Sequence, residues 1–157
     1  MEQINWKALL GSLALSLGVG IVSALLTMGG MQQYQDMYQP PLAPPGWLFP
    51  VVWTVLFLLM GVASWLVYRA NADVVEKKQA LRIYLLQLIV NFFWSILFFN
   101  FGLCMAAFVW LVLLWGLVLL TAVRFWRIAP TAGKLMIPYL LWVTFAGYLN
   151  LAICLLN

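Results

Sequence analysis

Charge is what this sequence has least of. Only 8% of its 157 residues are Asp, Glu, Lys or Arg, while 66% are hydrophobic. A soluble domain carries about 25% charged residues because its surface must be wetted, so a soluble globular fold is excluded. Histidine is absent altogether, which removes the commonest metal ligand, the usual general base and the proximal haem ligand. The two cysteines, Cys104 and Cys154, are too few for a zinc site and do not suggest a disulfide framework. The four acids, Glu2, Asp36, Asp73 and Glu76, are all expected in loops. Neither a carboxylate pair nor a Ser–His or Cys–His dyad is then available for hydrolysis. The net charge of +4 fits membrane orientation, and no nucleic-acid partner is expected.

What the chain does have is long apolar runs, with a mean hydropathy of +1.03. Windows 8–35, 37–68, 83–123 and 135–157 contain no charge. A spanning helix needs ~20 apolar residues to cross ~30 Å of hydrocarbon. The third window is too long for one helix, and Asn100-Phe101-Gly102 near its middle reads as a tight hairpin. The expected fold is therefore an all-α membrane protein, a five-transmembrane-helix bundle in one domain. Its helices are expected near 6–28, 46–68, 80–101, 103–123 and 133–156. A signal peptide over the first window is disfavoured, because the apolar run exceeds the ~7–15 residues of an h-region and more membrane follows.

With five spans, all eight basic residues fall on one side: Lys7, then Arg69, Lys77, Lys78 and Arg82, then Arg124, Arg127 and Lys134. The first loop, the hairpin and the C-terminus hold none. The positive-inside rule predicts a cytoplasmic N-terminus and an outer C-terminus, with a bacterial cell membrane as the expected location.

Ion-coupled carriers and proton pumps keep ionisable residues within their spans, and none of the expected spans has one. Aromatics and amides stand there instead. Of nine tryptophans, Trp6, Trp47, Trp65 and Trp126 fall near span ends, as an aromatic belt requires. Trp53, Trp94, Trp110, Trp115 and Trp142 are deeper, and a buried indole seeks a partner for its N–H. Trp110 and Trp115 are expected to face lipid from an otherwise uniform Val/Leu helix. On the third helix Tyr84, Gln87, Asn91, Trp94 and Phe98 share one face, as do Tyr139, Trp142, Ala146, Leu149 and Asn150 on the fifth. Gln87 and Asn150 serve equally as interhelical glue, whereas Asn91, bracketed by aromatics, is the better ligand candidate. Counting ~1.5 Å per residue puts Trp53 ~10 Å below the outer surface, and Asn91 and Trp94 ~14–18 Å from the inner one. Trp142 lies ~12 Å in from the same inner side, so these side chains can wall one pocket that opens outward.

The first loop would cover that pocket. Pro40, Pro41, Pro44 and Pro45 forbid regular helix there and stiffen the path, so that the loop loses little entropy when it closes. Ser12, Ser16, Gly20 and Ala24 form a small-residue ridge for close helix packing, within the subunit or across a dimer.

Three motifs on three helices carry a resemblance over essentially the whole chain. They are Pro44-Pro45-Gly46-Trp47 leading to Val51-Val52-Trp53-Thr54, Asn91-Phe92-Phe93-Trp94 with Phe98-Phe99, and Pro138-Tyr139-Leu140-Leu141-Trp142 ending in Leu149-Asn150. The chain resembles the TspO/MBR family, the tryptophan-rich sensory proteins of bacteria and the mitochondrial translocator protein. The resemblance implies a five-helix bundle, a homodimer, and a pocket under the first loop that binds porphyrins, haem and synthetic isoquinoline-type ligands. On it, Tyr34, Trp53, Asn91 and Trp142 fall on pocket positions, with Ala146 and Leu149 on the adjoining wall. The chain departs from the family at Gln39-Pro40-Pro41-Leu42, which lacks a loop tryptophan, and at Trp94-Ser95-Ile96, which lacks a proline pair. No Lys or Arg follows Tyr148, so no sterol motif is expected there; Arg82-Ile83-Tyr84-Leu85-Leu86 fits only the weak reversed form.

The candidate ligand-binding set is Tyr34, Trp47, Trp53, Gln87, Asn91, Trp94, Tyr139, Trp142, Ala146 and Leu149, with no catalytic residue and no metal ligand. No cofactor is required; porphyrin or haem enters as ligand, beside the lipid bilayer itself. A receptor or sensor for tetrapyrroles and similar flat hydrophobic molecules, aiding their transport or turnover, is placed ahead of two alternatives. These are light-dependent porphyrin breakdown and a structural partnership with other membrane proteins. The topology is open to a direct check. Cysteines introduced as Ala43→Cys and Asn157→Cys should react with a membrane-impermeant label from outside intact cells, and reaction only after permeabilisation would reverse the orientation.

Overall fold

The computed structural model describes residues 5–157, with backbone only for 31–33; Glu2, one of the acids expected in a loop, lies outside the described residues. Among these residues five α-helices follow one another: α1 Trp6–Asp36, α2 Leu48–Arg69, α3 Val74–Ser95, α4 Cys104–Ile128 and α5 Pro130–Leu156. A single π-helical turn, Ile96–Asn100, extends α3. All five helices are long and apolar enough to cross a membrane. They close a ring in the order α1, α2, α5, α4, α3, with the π turn completing the circuit against α1.

Helix ends differ from the sequence expectation for identifiable reasons. The Asp73 side chain accepts the Glu76 N–H at 3.3 Å, so α3 begins six residues before Ala80 and Glu76 stands in its first turn, not in a loop. α1 continues past residue 28 because no proline interrupts it before Pro40, and this places Tyr34 and Asp36 on the helix. Only Ala129 separates α4 from α5. Pro130 starts α5 without wasting an N–H, and Gly133 lies where any Cβ would strike Trp126.

The π turn departs most from the pattern. The Phe101 N–H donates to the Ile96 carbonyl five residues back, at 3.2 Å. This wider turn lets both Phe98 and Phe99 face inward, their ring centroids 5.0 Å apart. The expected hairpin follows, closed by Gly102 at φ 61°, a conformation that favours glycine.

The small-residue ridge of α1 is used within the subunit. Ser16 Oγ donates to the Phe57 carbonyl of α2 at 2.8 Å, and the Phe57 ring occupies the space a side chain at Gly20 would need. Trp110, expected to face lipid, is half-buried, and its indole N–H donates to the Val90 carbonyl of α3 at 2.7 Å. Trp115, 39% exposed, donates to Thr144 Oγ1 at 2.9 Å.

The cysteines also correct the sequence reading. Cys104 at the start of α4 and Cys154 near the end of α5 form a disulfide, their Cα atoms 5.6 Å apart. The same end of the bundle carries the first loop, which Tyr148 Oη holds by donating to the Pro41 carbonyl at 2.7 Å. There Asn157 Nδ2 donates to the Tyr38 carbonyl at 3.2 Å. The loop, the hairpin and the C-terminus thus share one end, and the helix order puts the basic residues at the other.

Close approach of α1 to the π turn depends on Gly30, because a Cβ there would run into the backbone carbonyl of Phe99. Gly30→Ala should destabilise the bundle by about 1–3 kcal/mol in reversible detergent unfolding. Gly18→Ala, where a Cβ meets nothing within 4 Å, should be neutral or stabilising by up to ~1 kcal/mol through helix propensity.

Candidate ligand-binding site

Below the first loop, the aromatic residues of four helices converge. On α2, Phe49 and Trp53 are one turn apart and point the same way. Phe49 packs edge-on against Tyr34 of α1 at 5.3 Å and against Trp142 of α5 at 5.9 Å. Trp53 meets Trp142 at 6.3 Å and Tyr139 at 6.2 Å, both edge-on. From the third helix, Trp94 stacks on Phe98 with an interplanar angle of 11°. Ala146 and Leu149 complete the wall of this chamber.

The polar side chains divide into two groups. One is paired inside the protein. Asn91 Nδ2 donates to Tyr139 Oη at 2.7 Å, and that hydroxyl donates to Gln87 Oε1 at 2.6 Å. Trp94 Nε1 donates to Asn150 Oδ1 at 3.1 Å, while Asn150 Nδ2 donates to the Cys104 carbonyl at 2.9 Å. The second group has no partner: Tyr34 Oη and Trp142 Nε1 are buried, border the chamber and make no hydrogen bond. A buried donor left unpaired costs about 1–3 kcal/mol, and such a cost is tolerated where a ligand can recover it.

Two spaces adjoin one another here. The aromatic chamber is almost filled by its own side chains, with about 10 Å³ open. Beside it, facing α1, lies a cavity of about 300 Å³. Phe49, Trp53 and Phe99 line both and form the partition between them. Asn91 and Ser95 of α3 reach the larger cavity, opposite Ser23 and Thr27 of α1.

Of the residues singled out from sequence, the structure brings together Tyr34, Trp53, Trp94, Trp142, Ala146 and Leu149 around the chamber, with Asn91 just across the partition. Gln87 and Tyr139 are fully buried and line neither space; they hold α3 to α5. Trp47 lies outside the site, 67% exposed at the head of α2. Phe49 was not singled out, although its position one turn above Trp53 was a usable signal. Ser23 and Thr27 were hidden because the small residues of α1 read as packing alone.

Comparison with known proteins places the chain in a family. The model of the TspO/MBR family matches residues 12–156. The chain is 38% identical over 146 residues to the tryptophan-rich protein TspO of Chlorobaculum tepidum, covering 92% of each chain. It is 41% identical over 128 residues to the translocator protein homolog of Schizosaccharomyces pombe, covering 80% of this chain and 78% of that one. To the human translocator protein it is 33% identical over 147 residues, covering 92% of this chain and 87% of the relative.

The buried chain through Tyr139 is testable apart from any ligand. Tyr139→Phe strands both Gln87 Oε1 and Asn91 Nδ2, and should cost on the order of 1–2 kcal/mol in detergent unfolding. Thr144→Val, at an exposed partner of Trp115, should cost less than about 0.5 kcal/mol. With its five membrane-spanning helices and a family match along nearly its whole length, this chain is a multi-pass integral membrane protein of the TspO/MBR family.

Proposed function

We propose that the protein binds tetrapyrroles, and similar flat hydrophobic molecules, in the space formed when the aromatic chamber and the adjoining cavity merge. The observation that carries this reading is the pair of unpaired donors, Tyr34 Oη and Trp142 Nε1, on a wall made mostly of aromatic rings. A flat macrocycle with acceptor groups at its edge satisfies both features: its faces stack on Trp and Phe rings, and its oxygens take the two donors. Rotation of Phe49, Trp53 and Phe99 opens the partition, which brings the pocket into the ~300–1,000 Å³ range of small-molecule sites. The polar chain through Asn91, Tyr139 and Gln87 holds the frame rigid around these moving rings.

The first loop acts as the lid, fastened to α5 through Tyr148 and Asn157. The disulfide beside it supports assigning this end to the oxidising, outer side of a cell membrane, in agreement with the basic residues at the opposite end. A homodimer belongs to this reading on the family resemblance.

With no histidine in the chain, the grip is aromatic and hydrogen-bonded, not iron-ligating. Metal-free protoporphyrin should bind about as tightly as haem in a tryptophan-fluorescence titration. The protein should contribute no pH dependence between pH ~6 and ~8, because tyrosine ordinarily titrates near ~10. Trp142→Ala should weaken binding by on the order of 1–3 kcal/mol, and Trp115→Ala by much less. Far tighter binding of haem would demand an iron ligand and contradict this account.

A further inference from the structure

At the basic end of the bundle a groove of about 350 Å³ runs between α1, α2 and α3. Gly11 and Leu15 of α1 form one wall, Tyr68 of α2 the back, and Leu81 and Leu85 of α3 the other wall. Tyr84 and Ser64 also line the groove, and the Tyr84 hydroxyl is buried without a hydrogen-bond partner. None of the lining residues is charged, but basic residues stand within one helical turn of them. Lys78 and Arg82 stand one helical turn from Leu81 and Leu85, on the face of α3 that forms the wall. Lys7 stands one turn from Gly11 on α1, and all three basic side chains are exposed. Glu76, the nearest acid on α3, is two residues from Lys78 and therefore on another flank.

We propose that this groove is a binding site for an anionic phospholipid of the leaflet at the basic end. One acyl chain lies between α1 and α3, and the headgroup phosphate sits on Lys7, Lys78 and Arg82. The chemistry selects this occupant. An apolar slot with three cations near its mouth, Lys78 and Arg82 about 6 Å apart along α3, matches an acyl chain joined to an anionic headgroup, and basic pockets between helices bind such lipids. A neutral lipid gains nothing from the basic residues. A second copy of the chain, docking the same face under two-fold symmetry, would set these cations against themselves. The site lies at the opposite end of the bundle from the aromatic chamber, and the inference is independent of the ligand bound there.

Native mass spectrometry of the purified protein in neutral detergent tests this, with dioleoyl-phosphatidylglycerol and dioleoyl-phosphatidylcholine as probes. The anionic lipid should form a one-to-one adduct at least tenfold tighter than the zwitterionic one. The double variant Lys78→Gln/Arg82→Gln should lose most of that preference. Gly11→Leu fills the groove without touching charge, and its Cβ meets nothing within 4 Å, so the fold tolerates it. It should weaken the anionic adduct about tenfold, while soluble glycerol phosphate should not bind detectably. Protoporphyrin binding by Gly11→Leu should match the wild type, which keeps failure of this site distinct from failure of the aromatic one. Equal binding of the two lipids would overturn the proposal. So would an anionic adduct indifferent to Gly11→Leu, which would reduce the three cations to diffuse surface charge.

Discussion

A polar atom in hydrocarbon has no water to bond, so every amide, hydroxyl and indole N–H within the spans must find its partner in protein or ligand. That constraint orders the interior of this bundle. Gln87, Tyr139 and Asn91 satisfy one another in a line across α3 and α5. Asn150 takes the Trp94 N–H and returns a bond to the Cys104 carbonyl, which ties α3, α5 and the head of α4 together. These bonds are individually modest in a membrane, typically near ~1 kcal/mol, but each leaves its partners no second arrangement. They make a fixed frame from which the aromatic side chains project.

The frame makes the exceptions meaningful. Four buried donors among the described residues lack a partner; Trp65 Nε1 and Tyr84 Oη lie away from the chamber, whereas Tyr34 Oη and Trp142 Nε1, from helices at different places in the ring, both border it. Above them the proline-rich loop is fastened to α5, and the disulfide fastens α4 to α5 at the same end. Rigidity is therefore greatest around the α4–α5 side of the chamber. On its α1 side lies open volume, bounded by small residues of α1 and the Phe49, Trp53 and Phe99 rings. A site with one firm wall and one yielding wall suits ligands that share flatness but differ in outline.

Much of this was legible in the sequence because a bilayer restricts the alternatives. The count of five helices and the gathering of all eight basic residues at one end follow from charge-free windows alone. Residues spaced by three and four on the third and fifth helices indicated which faces would turn inward. Sequence spacing could not reveal that Gln87 and Tyr139 pair with each other, because this depends on the register between α3 and α5. The π turn was likewise hidden: it changes the phase of the helix so that adjacent Phe98 and Phe99 both turn inward, which a constant period cannot represent. The disulfide was missed by counting cysteines and not placing them. Once α4 and α5 are antiparallel neighbours, the head of one and the tail of the other must meet.

The central claim is that one chamber, lined by Trp53, Trp94 and Trp142, receives the ligand. Fluorine NMR of protein labelled with 5-fluorotryptophan, titrated with metal-free protoporphyrin, tests it residue by residue. The account predicts that the resonances of Trp53, Trp94 and Trp142 shift together to one saturation point, while those of Trp115 and Trp126 stay in place. Shifts confined to Trp115 and Trp126, with the three chamber resonances unmoved, would contradict it.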